Sequence, residues 1–388
     1  MNSLKLAGCI LMLALPQMPL AAESPATLEA IRDAYARSLE QARASGPADG
    51  ISIENYRSAI TKASNAARSA GQVADALAYS DELKLLQNSL NVPKGEAALP
   101  AITSLRQRFH ATAIQRSFQQ EERLVGIREQ YAVRLREYIK SALLQHRDQE
   151  AVEAQRMVDE VEAQIFKGMS PPSGFVPWSG SAIEVASEGA VSLGVPSKNM
   201  DGNHATYCLW VHPFKNGNDG RIIYDGNDVI GWERLIIWKD KKITVSLTNI
   251  GLANIVGRLA VPPDAWSHVA LVISENDVCL YINGCLDTRK EHKVIKSQSV
   301  SRITLARGVH NGGLWEEQFR GRLTDVRVWK RALSAREVRD CMMNRLTASA
   351  GLVGCWQFLN KSQDERDGKW TSRVYGKAPI VDLWKIAN

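Results

Sequence analysis

The stretch Trp266-Ser-His-Val-Ala-Leu-Val-Ile-Ser-Glu-Asn-Asp-Val-Cys-Leu-Tyr-Ile-Asn-Gly284 contains two short apolar runs, each followed by turn-forming residues. The runs at His268–Ile273 and Val278–Ile282 are rich in β-branched residues, which favour strands. Asn283-Gly284 directly follows the second run, and a type I′ turn needs positive φ at both central residues. The stretch therefore predicts short antiparallel strands joined by tight turns.

The same pattern continues from Phe175 to the carboxyl terminus. Further strand candidates are Ala205–Val211, Arg221–Tyr224, Leu235–Trp238, Ile243–Leu247, Arg302–Leu305, Asp325–Trp329 and Leu352–Phe358. One helix is predicted at Ser334–Met342, because Ser334 and Glu337 have the spacing of a capping box. Many short strands with few helices are typical of an antiparallel two-sheet jelly-roll β-sandwich.

Three motifs follow one another in this half. They are Trp266-Ser-His-Val-Ala-Leu-Val272 with Leu280-Tyr-Ile-Asn-Gly284, then Phe319-x-Gly-x-Leu-x-Asp-Val-Arg-Val-Trp329 continuing to Val338, then Gly351-Leu-Val-Gly-Cys-Trp-x-Phe358. They resemble the paired central strands, the closing segment and the last core strand of laminin-G-like, concanavalin-A-like domains. Tyr207-Cys-Leu-Trp-Val211 is similar to the second strand of these domains and of pentraxins. The resemblance covers about residues 175–388 and implies a jelly roll that binds sugar or protein at a sheet edge, sometimes through calcium.

The first half of the chain, residues 23–168, has apolar residues at intervals of three and four, as in Leu28, Ile31, Tyr35, Leu39 and Ala42. Two apolar positions in seven are typical of a coiled-coil seam. The motif Leu28-x-x-Ile-Arg-x-x-Tyr-Ala-x-x-Leu39 recurs 96 residues later, at Leu124–Leu135. We interpret each copy as part of a helical hairpin, and the whole region as an α-helical, coiled-coil-like stalk that self-associates.

The composition changes at residues 169–174, where a stretch rich in Pro, Ser and Gly cannot continue a helix. All ten Trp and twenty of the 27 Gly lie beyond position 168. The predicted organisation is therefore a leader at 1–22, the helical region at 23–168, a linker at 169–174 and the sandwich at 175–388.

The amino terminus has the pattern of a secretory signal peptide. Lys5 precedes the apolar run Leu6–Leu15, and Leu20-Ala-Ala22 offers small residues for cleavage before Glu23. The run is too short to span a membrane, which takes about 20 apolar residues. We therefore expect an exported protein without a transmembrane segment, located in the periplasm, outside the cell or at its surface.

Several functions are disfavoured by composition and motifs. The 48 Lys and Arg against 42 Asp and Glu give a net charge of +6, too mild to indicate a nucleic-acid partner. The sequence contains no Gly-x-Ser-x-Gly, no His-Glu-x-x-His and no Glu-x-Asp-x-Glu string. Zinc is disfavoured because the seven His are scattered and no Cys-x-x-Cys occurs. We predict no catalytic residues.

Ligand-binding residues are expected in loops, where side chains are not needed for packing. Four Trp, at 210, 266, 329 and 356, lie in strand motifs and are assigned to the core. Trp232 and Trp315 lie in loop-like surroundings, and an exposed Trp can stack on a sugar face. Asp225, Asn227 and Asp228 would accept hydrogen bonds from sugar hydroxyls. These five residues form the predicted ligand site.

Calcium is the one cofactor that the sequence suggests. Asp225, Asn227 and Asp228 supply hard oxygen ligands around a glycine, although calcium takes six to eight oxygens. The same composition is also that of an ordinary turn, and the two interpretations stay open.

Five cysteines remain once the predicted leader is removed, so at least one thiol is free or intermolecular. Cys279 and Cys285 flank the Asn283-Gly284 turn without lying opposite each other. Cys341 and Cys355 are the disulfide candidate, because a bridge would tie the predicted helix to the last core strand. The alternative is two buried thiols.

The prediction is therefore an exported, non-catalytic binding protein whose sandwich recognises a glycan or an extracellular or envelope protein. Two alternatives remain. One is a structural cell-envelope assembly protein with a passive sandwich, and the other is a glycoside hydrolase without its usual motif.

Overall fold

The computed structural model describes residues 27–44, 53–88, 91–186, 189–193, 204–217, 219–227, 232–248, 251–292, 302–307, 309–310, 313–314, 318–346, 350–358, 373–376 and 379–383. The predicted leader, Asp228 and Trp315 lie outside these residues.

The helices lie mainly in the first half of the chain, as its apolar spacing predicts. They are α1 (Leu28–Ala44), α2 (Ile53–Ser69), α3 (Val73–Asn88), α4 (Pro100–Leu144), α5 (Asp148–Met169) and, among the strands, α6 (Ala335–Met342). Pro100 begins the 45-residue α4, where its missing N–H costs no hydrogen bond. None of the described helices is long and apolar enough to cross a membrane.

The two copies of the sequence repeat pack against each other within one chain. Leu28 and Ile31 of α1 share an apolar cluster with Tyr131 of α4 and Val158 of α5. Tyr35 and Tyr131, which occupy equivalent repeat positions, stack with ring centroids 3.9 Å apart and planes 1° from parallel. The apolar seam predicted from the spacing is thus filled by neighbouring helices of the same chain. A second cluster joins α2, α3 and the start of α4 around Tyr56, Leu86 and other apolar side chains.

Strands dominate the second half. They are β1 (Ser181–Val185), β2 (Gly189–Ser192), β3 (Ala205–Pro213), β4 (Gly220–Asn227), β5 (Trp232–Lys239), β6 (Lys242–Leu247), β7 (Leu252–Val256), β8 (Ser267–Ile273), β9 (Asp277–Ile282), β10 (Cys285–Glu291), β11 (Arg302–Leu305), β12 (Val309–His310), β13 (Gly313–Leu314), β14 (Gly321–Trp329), β15 (Leu352–Trp356), β16 (Arg373–Gly376) and β17 (Ile380–Asp382). All nine strands predicted from the sequence are present.

Two antiparallel sheets form the sandwich. Sheet A has the order β10-β9-β8-β3-β14-β1-β17 with β15 beside β14, and sheet B has the order β16-β2-β11-β4-β5-β6-β7. Their inner faces enclose one apolar cluster to which both sheets contribute, including Leu209, Ile236 and Leu271. The predicted helical region followed by a jelly-roll-like sandwich is confirmed.

The local signals that decided the fold are visible in the backbone. Asn283 and Gly284 have φ of 50° and 71°, as a type I′ turn requires. A Cβ at Gly284 would lie 2.7 Å from Arg339 Cγ and 2.7 Å from Met169 Cε, so this turn also needs glycine for close packing. Ser334 and Glu337 form the capping box at the start of α6.

The helical region packs directly on the outer face of sheet A. Phe118 and Val125 of α4 share a buried cluster with Phe175 and with Trp210 of β3. At the edge of this interface, both Nη atoms of Arg345 lie 2.8 Å from the carboxylate oxygens of Glu122. The sequence predicts a helical stalk that displays the sandwich. In the structure these helices also cover part of sheet A.

The described cysteines are all free thiols, so the structure does not contain the predicted Cys341–Cys355 bridge. Cys341 faces Cys208 and His268 instead, with its Sγ within 4.8 Å of their ligand atoms. Cys355 lies on β15 opposite Arg327 of β14. The sequence could not reveal these neighbours, because they depend on how α6 is placed on sheet A.

Candidate functional site

The structure separates the five residues predicted to bind ligand. Asp225 and Asn227 lie on β4 and Trp232 begins β5, so these three belong to strands rather than to loops. Asn227 and Trp232 face each other in the β4–β5 pairing. Asp228 and Trp315 lie outside the described residues. The ligand-binding and calcium roles of Asn227 and Asp228, and the stacking roles of Trp232 and Trp315, remain predictions.

Asp225 is wrongly placed in the predicted site. Its side chain is fully buried between the sheets, where it accepts a hydrogen bond from Tyr207 Oη of sheet A. Arg234 Nη1 lies 3.9 Å from Asp225 Oδ2 and donates to Tyr207 Oη at 3.0 Å. Burial raises the pKa of Asp225 to about 6, against the effect of Arg234 and Tyr207. A carboxylate engaged with an arginine inside the sandwich cannot be a calcium ligand on a surface loop.

A different group of side chains forms a row across the outer face of sheet A. Glu184 of β1 pairs in register with Arg322 of β14, and Arg322 pairs with His212 of β3. The row ends at Trp266, whose ring meets the His212 ring edge-on with centroids 5.1 Å apart. Arg322 Nε donates to Glu184 Oε2 at 2.7 Å.

The turn before β8 brings Trp266 and Asp264 to this row. Asp264 adopts φ of 55°, and its N–H donates to Pro213 O at 2.8 Å, which fixes the turn against the end of β3. Asp264 Oδ1 accepts a hydrogen bond from the backbone N–H of Lys215 at 3.1 Å. Its carboxylate is exposed beside the row.

One wall of a groove of about 460 Å³ is formed by Arg322, His212 and Trp266 of this row, and the other wall by residues 171–176. We call this space the linker groove. Gln115 of α4 donates to Val176 O at 2.6 Å and fixes the wall. A neighbouring cavity of about 470 Å³ shares Asp264 and is also lined by Phe214 and Arg320. Each has the size of a small-molecule site.

His212 lines this groove and carries a ring nitrogen without a partner in the described part of the chain. Its Nδ1 is buried and has no hydrogen-bond partner among the described residues. Burial lowers the pKa of His212, and the positive charge of Arg322 lowers it further. The imidazole is therefore neutral near pH 7, with one nitrogen able to donate and one able to accept a hydrogen bond.

The residues of this groove are not among the ligand-binding residues predicted from the sequence. Trp266 is buried as predicted and packs in the interface cluster, yet it also lines the groove. Trp210 and His212 alternate on β3 and Phe214 directly follows its last residue; this spacing was the available signal, since alternate residues of a strand share a face. The pairing of His212 with Arg322 depends on strand register and could not be read from the sequence.

Residues 186–339 match the model of the concanavalin A-like lectin/glucanases superfamily. This match to part of the chain confirms the resemblance drawn from the strand motifs. The matched residues include β3 with His212 and β14 with Arg322. They also include Trp266, which directly precedes β8. No curated protein matches the chain in sequence.

Three solved structures are similar to part of the chain. The first is a Bacteroides ovatus protein assigned as carbohydrate binding, with 18% identity, 52% of this chain and 60% of that chain covered, and a TM-score of 0.42. The second is domain 4 of AbnA, a GH43 extracellular arabinanase from Geobacillus stearothermophilus in complex with arabinotriose, with 16% identity, 42% and 76% covered, and a TM-score of 0.30. The third is the CBM40 of the Ruminococcus gnavus IT-sialidase, with 17% identity, 42% and 96% covered, and a TM-score of 0.34.

Proposed function

We propose that the sandwich binds a glycan in the linker groove and catalyses no reaction on it. The observation that carries the proposal is that Trp266, His212 and Arg322 lie in one row and line the groove together. An aromatic ring beside groups that donate and accept hydrogen bonds suits a sugar, which has apolar faces and hydroxyl edges.

The match to a superfamily of lectins and glucanases supports a sugar as the ligand. The size of the groove supports an oligosaccharide segment rather than a large flat partner. Asp264 adds an exposed carboxylate that accepts hydrogen bonds from hydroxyl groups.

The engagement of the nearby acids supports binding rather than hydrolysis. Glycoside hydrolysis uses two carboxyl groups, one of them able to donate a proton. Glu184 is held by Arg322, and Asp264 accepts the N–H of Lys215. Both carboxyl groups are thus engaged by hydrogen-bond donors of the chain itself.

The test is a glycan array probed with the full chain, with and without calcium, followed by titration of the best ligand. We expect His212→Ala to weaken binding about fivefold, because one lost hydrogen bond contributes about 1 kcal/mol. Asp264→Asn should also weaken binding. Both variants should keep the melting temperature of the parent within a few degrees.

Trp232→Ala and Trp315→Ala serve as matched variants, because they alter the site predicted from the sequence. Binding that is lost in these two and retained in His212→Ala would place the site at the residues predicted from the sequence instead of the linker groove. Binding that requires calcium there would support metal ligation by Asn227 and Asp228. An array without any glycan ligand would contradict the proposed function and favour a passive role in assembly.

The pKa of His212 predicts a pH dependence of stability. The unfolded chain takes up a proton at this residue below about pH 6.5, whereas the folded chain does so only at lower pH. The stability that neutral His212 contributes to the folded chain is therefore fully present above about pH 6.5. It is lost as the pH falls from 6.5 towards the lower pKa of His212 in the folded chain. Denaturant unfolding at pH 7.5 and 5.5 should show a smaller loss for His212→Ala than for the parent. An equal loss in both proteins would contradict the shift.

The remaining parts of the proposed function concern location and assembly. Export rests on the leader pattern at residues 1–22. Self-association of the helical region would use α3, which keeps Val73 78% exposed and Leu77 60% exposed. Glycan or envelope-protein partners would then be engaged by several grooves at once, which raises avidity.

A further inference from the structure

A buried pair of thiols joins α6 to sheet A. Cys208 of β3 and Cys341 of α6 lie in one apolar cluster with Ala270 and Trp329. Cys208 has no exposed surface and Cys341 is 4% exposed. The two Sγ atoms and a ring nitrogen of His268 all lie within 4.8 Å of one another. The chain thus brings together two sulfur atoms from residues about 130 positions apart.

We propose that Cys208 and Cys341 form a disulfide when the protein folds in an oxidising compartment. This bridge would fasten α6 to the central strand β3, whereas Cys279, Cys285 and Cys355 would stay reduced. It replaces the Cys341–Cys355 pairing suggested by the sequence. The proposal is independent of glycan binding, because neither sulfur lines the linker groove.

The folded chain surrounds the two sulfurs differently. Burial raises the pKa of the Cys208 thiol. Burial acts in the same direction on Cys341, but hydrogen bonds from Cys208 and His268 and the charge of Arg327 hold its pKa well below the usual value. Arg327 Nη1 lies 3.9 Å from Cys341 Sγ. In the folded chain the thiolate is thus favoured at Cys341 and the thiol at Cys208.

The reaction needs a disulfide-bearing oxidant such as glutathione disulfide. Cys341 thiolate attacks one sulfur of the oxidant and forms a mixed disulfide, and one glutathione thiolate leaves and takes up a proton. Cys208 then loses its proton and attacks the Cys341 sulfur, and the second glutathione leaves with a proton. Two protein thiols are oxidised and one glutathione disulfide is reduced to two thiols. Since both sulfurs are buried in the folded chain, exchange takes place before α6 docks on sheet A.

A metal ion is the competing occupant of this cluster. Cys208, His268 and Cys341 supply three donors, one fewer than a closed tetrahedral zinc site. The guanidinium of Arg327 beside Cys341 places a positive charge where a cation would bind. Both observations favour the disulfide.

The test uses full-length protein secreted into an oxidising compartment, unfolded in N-ethylmaleimide and digested without reductant. Mass spectrometry should find a linked peptide pair containing Cys208 and Cys341, with the other three thiols alkylated. Alkylation of both Cys208 and Cys341 would overturn the proposal. So would a Cys341–Cys355 pair, or a stoichiometric metal ion with both thiols reduced.

A stability measurement provides a second test with matched variants. A reductant should lower the melting temperature of the parent by about 10 °C, because a bridge over so long a loop strongly restricts the unfolded chain. The same shift is expected in Cys355→Ser and none in Cys341→Ser. Equal shifts in the two variants, or none in the parent, would contradict the bridge.

Discussion

Replacing Asp225 with alanine should lower the free energy of unfolding by about 3–5 kcal/mol, the usual cost of breaking a buried ion pair. The carboxylate is completely buried and faces Arg234, which is 1% exposed. Arginine cannot release its proton, so in Asp225→Ala the positive charge of Arg234 stays inside the sandwich without that carboxylate. Denaturant unfolding followed by tryptophan fluorescence measures the change.

Arg234→Met should cost less than Asp225→Ala, because a carboxyl group can become neutral. Burial already raises the pKa of Asp225 to about 6, and removing Arg234 raises it further. In the folded variant the Asp225 carboxyl group keeps its proton above pH 3.8, the usual pKa at which the unfolded chain releases it. The free energy of unfolding therefore falls as the pH rises from 3.8 to the raised pKa of the folded variant. The cost of Arg234→Met should therefore be larger at pH 8 than at pH 5.

The exposed pair of Arg289 with Asp277 gives the control, since Arg289 is 61% exposed. Arg289→Met should leave the unfolding midpoint unchanged, because exposed ion pairs contribute little to stability. If Asp225→Ala were as mild as this control, the buried cluster would not stabilise the sandwich.

Strand and helix identities were predictable because they depend on local residues. The turn at Asn283-Gly284 and the capping box of Ser334 and Glu337 specify backbone geometry within four residues, and the structure contains both. Trp210, Trp329 and Trp356 are buried as predicted.

The candidate site was not predictable, because its residues meet through register and docking. His212 and Arg322 are far apart in sequence and become neighbours only when β3 pairs with β14. Asp225 looked like a loop ligand because its Asp-Gly-Asn composition is typical of turns, although the β4–β5 ladder extends past it to Asn227 and Trp232. The carboxylate points between the sheets, and only the three-dimensional structure reveals the arginine that accompanies it.

The contact between α4 and sheet A leads to the second large effect. Phe118 is 2% exposed and packs beside Phe175, with ring centroids 5.2 Å apart. Phe118→Ala should lower the free energy of unfolding by about 3–5 kcal/mol, because it removes a buried aromatic side chain and leaves a cavity. Leu144→Ala on the same helix is the control, since Leu144 is 83% exposed and its loss should change little.

Two spectroscopic signals can report on the two halves separately, because every Trp lies beyond residue 177 while most helical residues lie before residue 170. Circular dichroism at 222 nm follows the helices, and tryptophan fluorescence follows the sandwich. The Phe118 cluster, the contacts of Arg345 with Glu122 and the bond from Gln115 to Val176 link the halves, so their transitions should coincide and Phe118→Ala should shift both together. A variant in which only the helical signal shifts would show that the helices unfold independently as a stalk. Coincident transitions would mean that the helical region and the sandwich unfold as one cooperative unit.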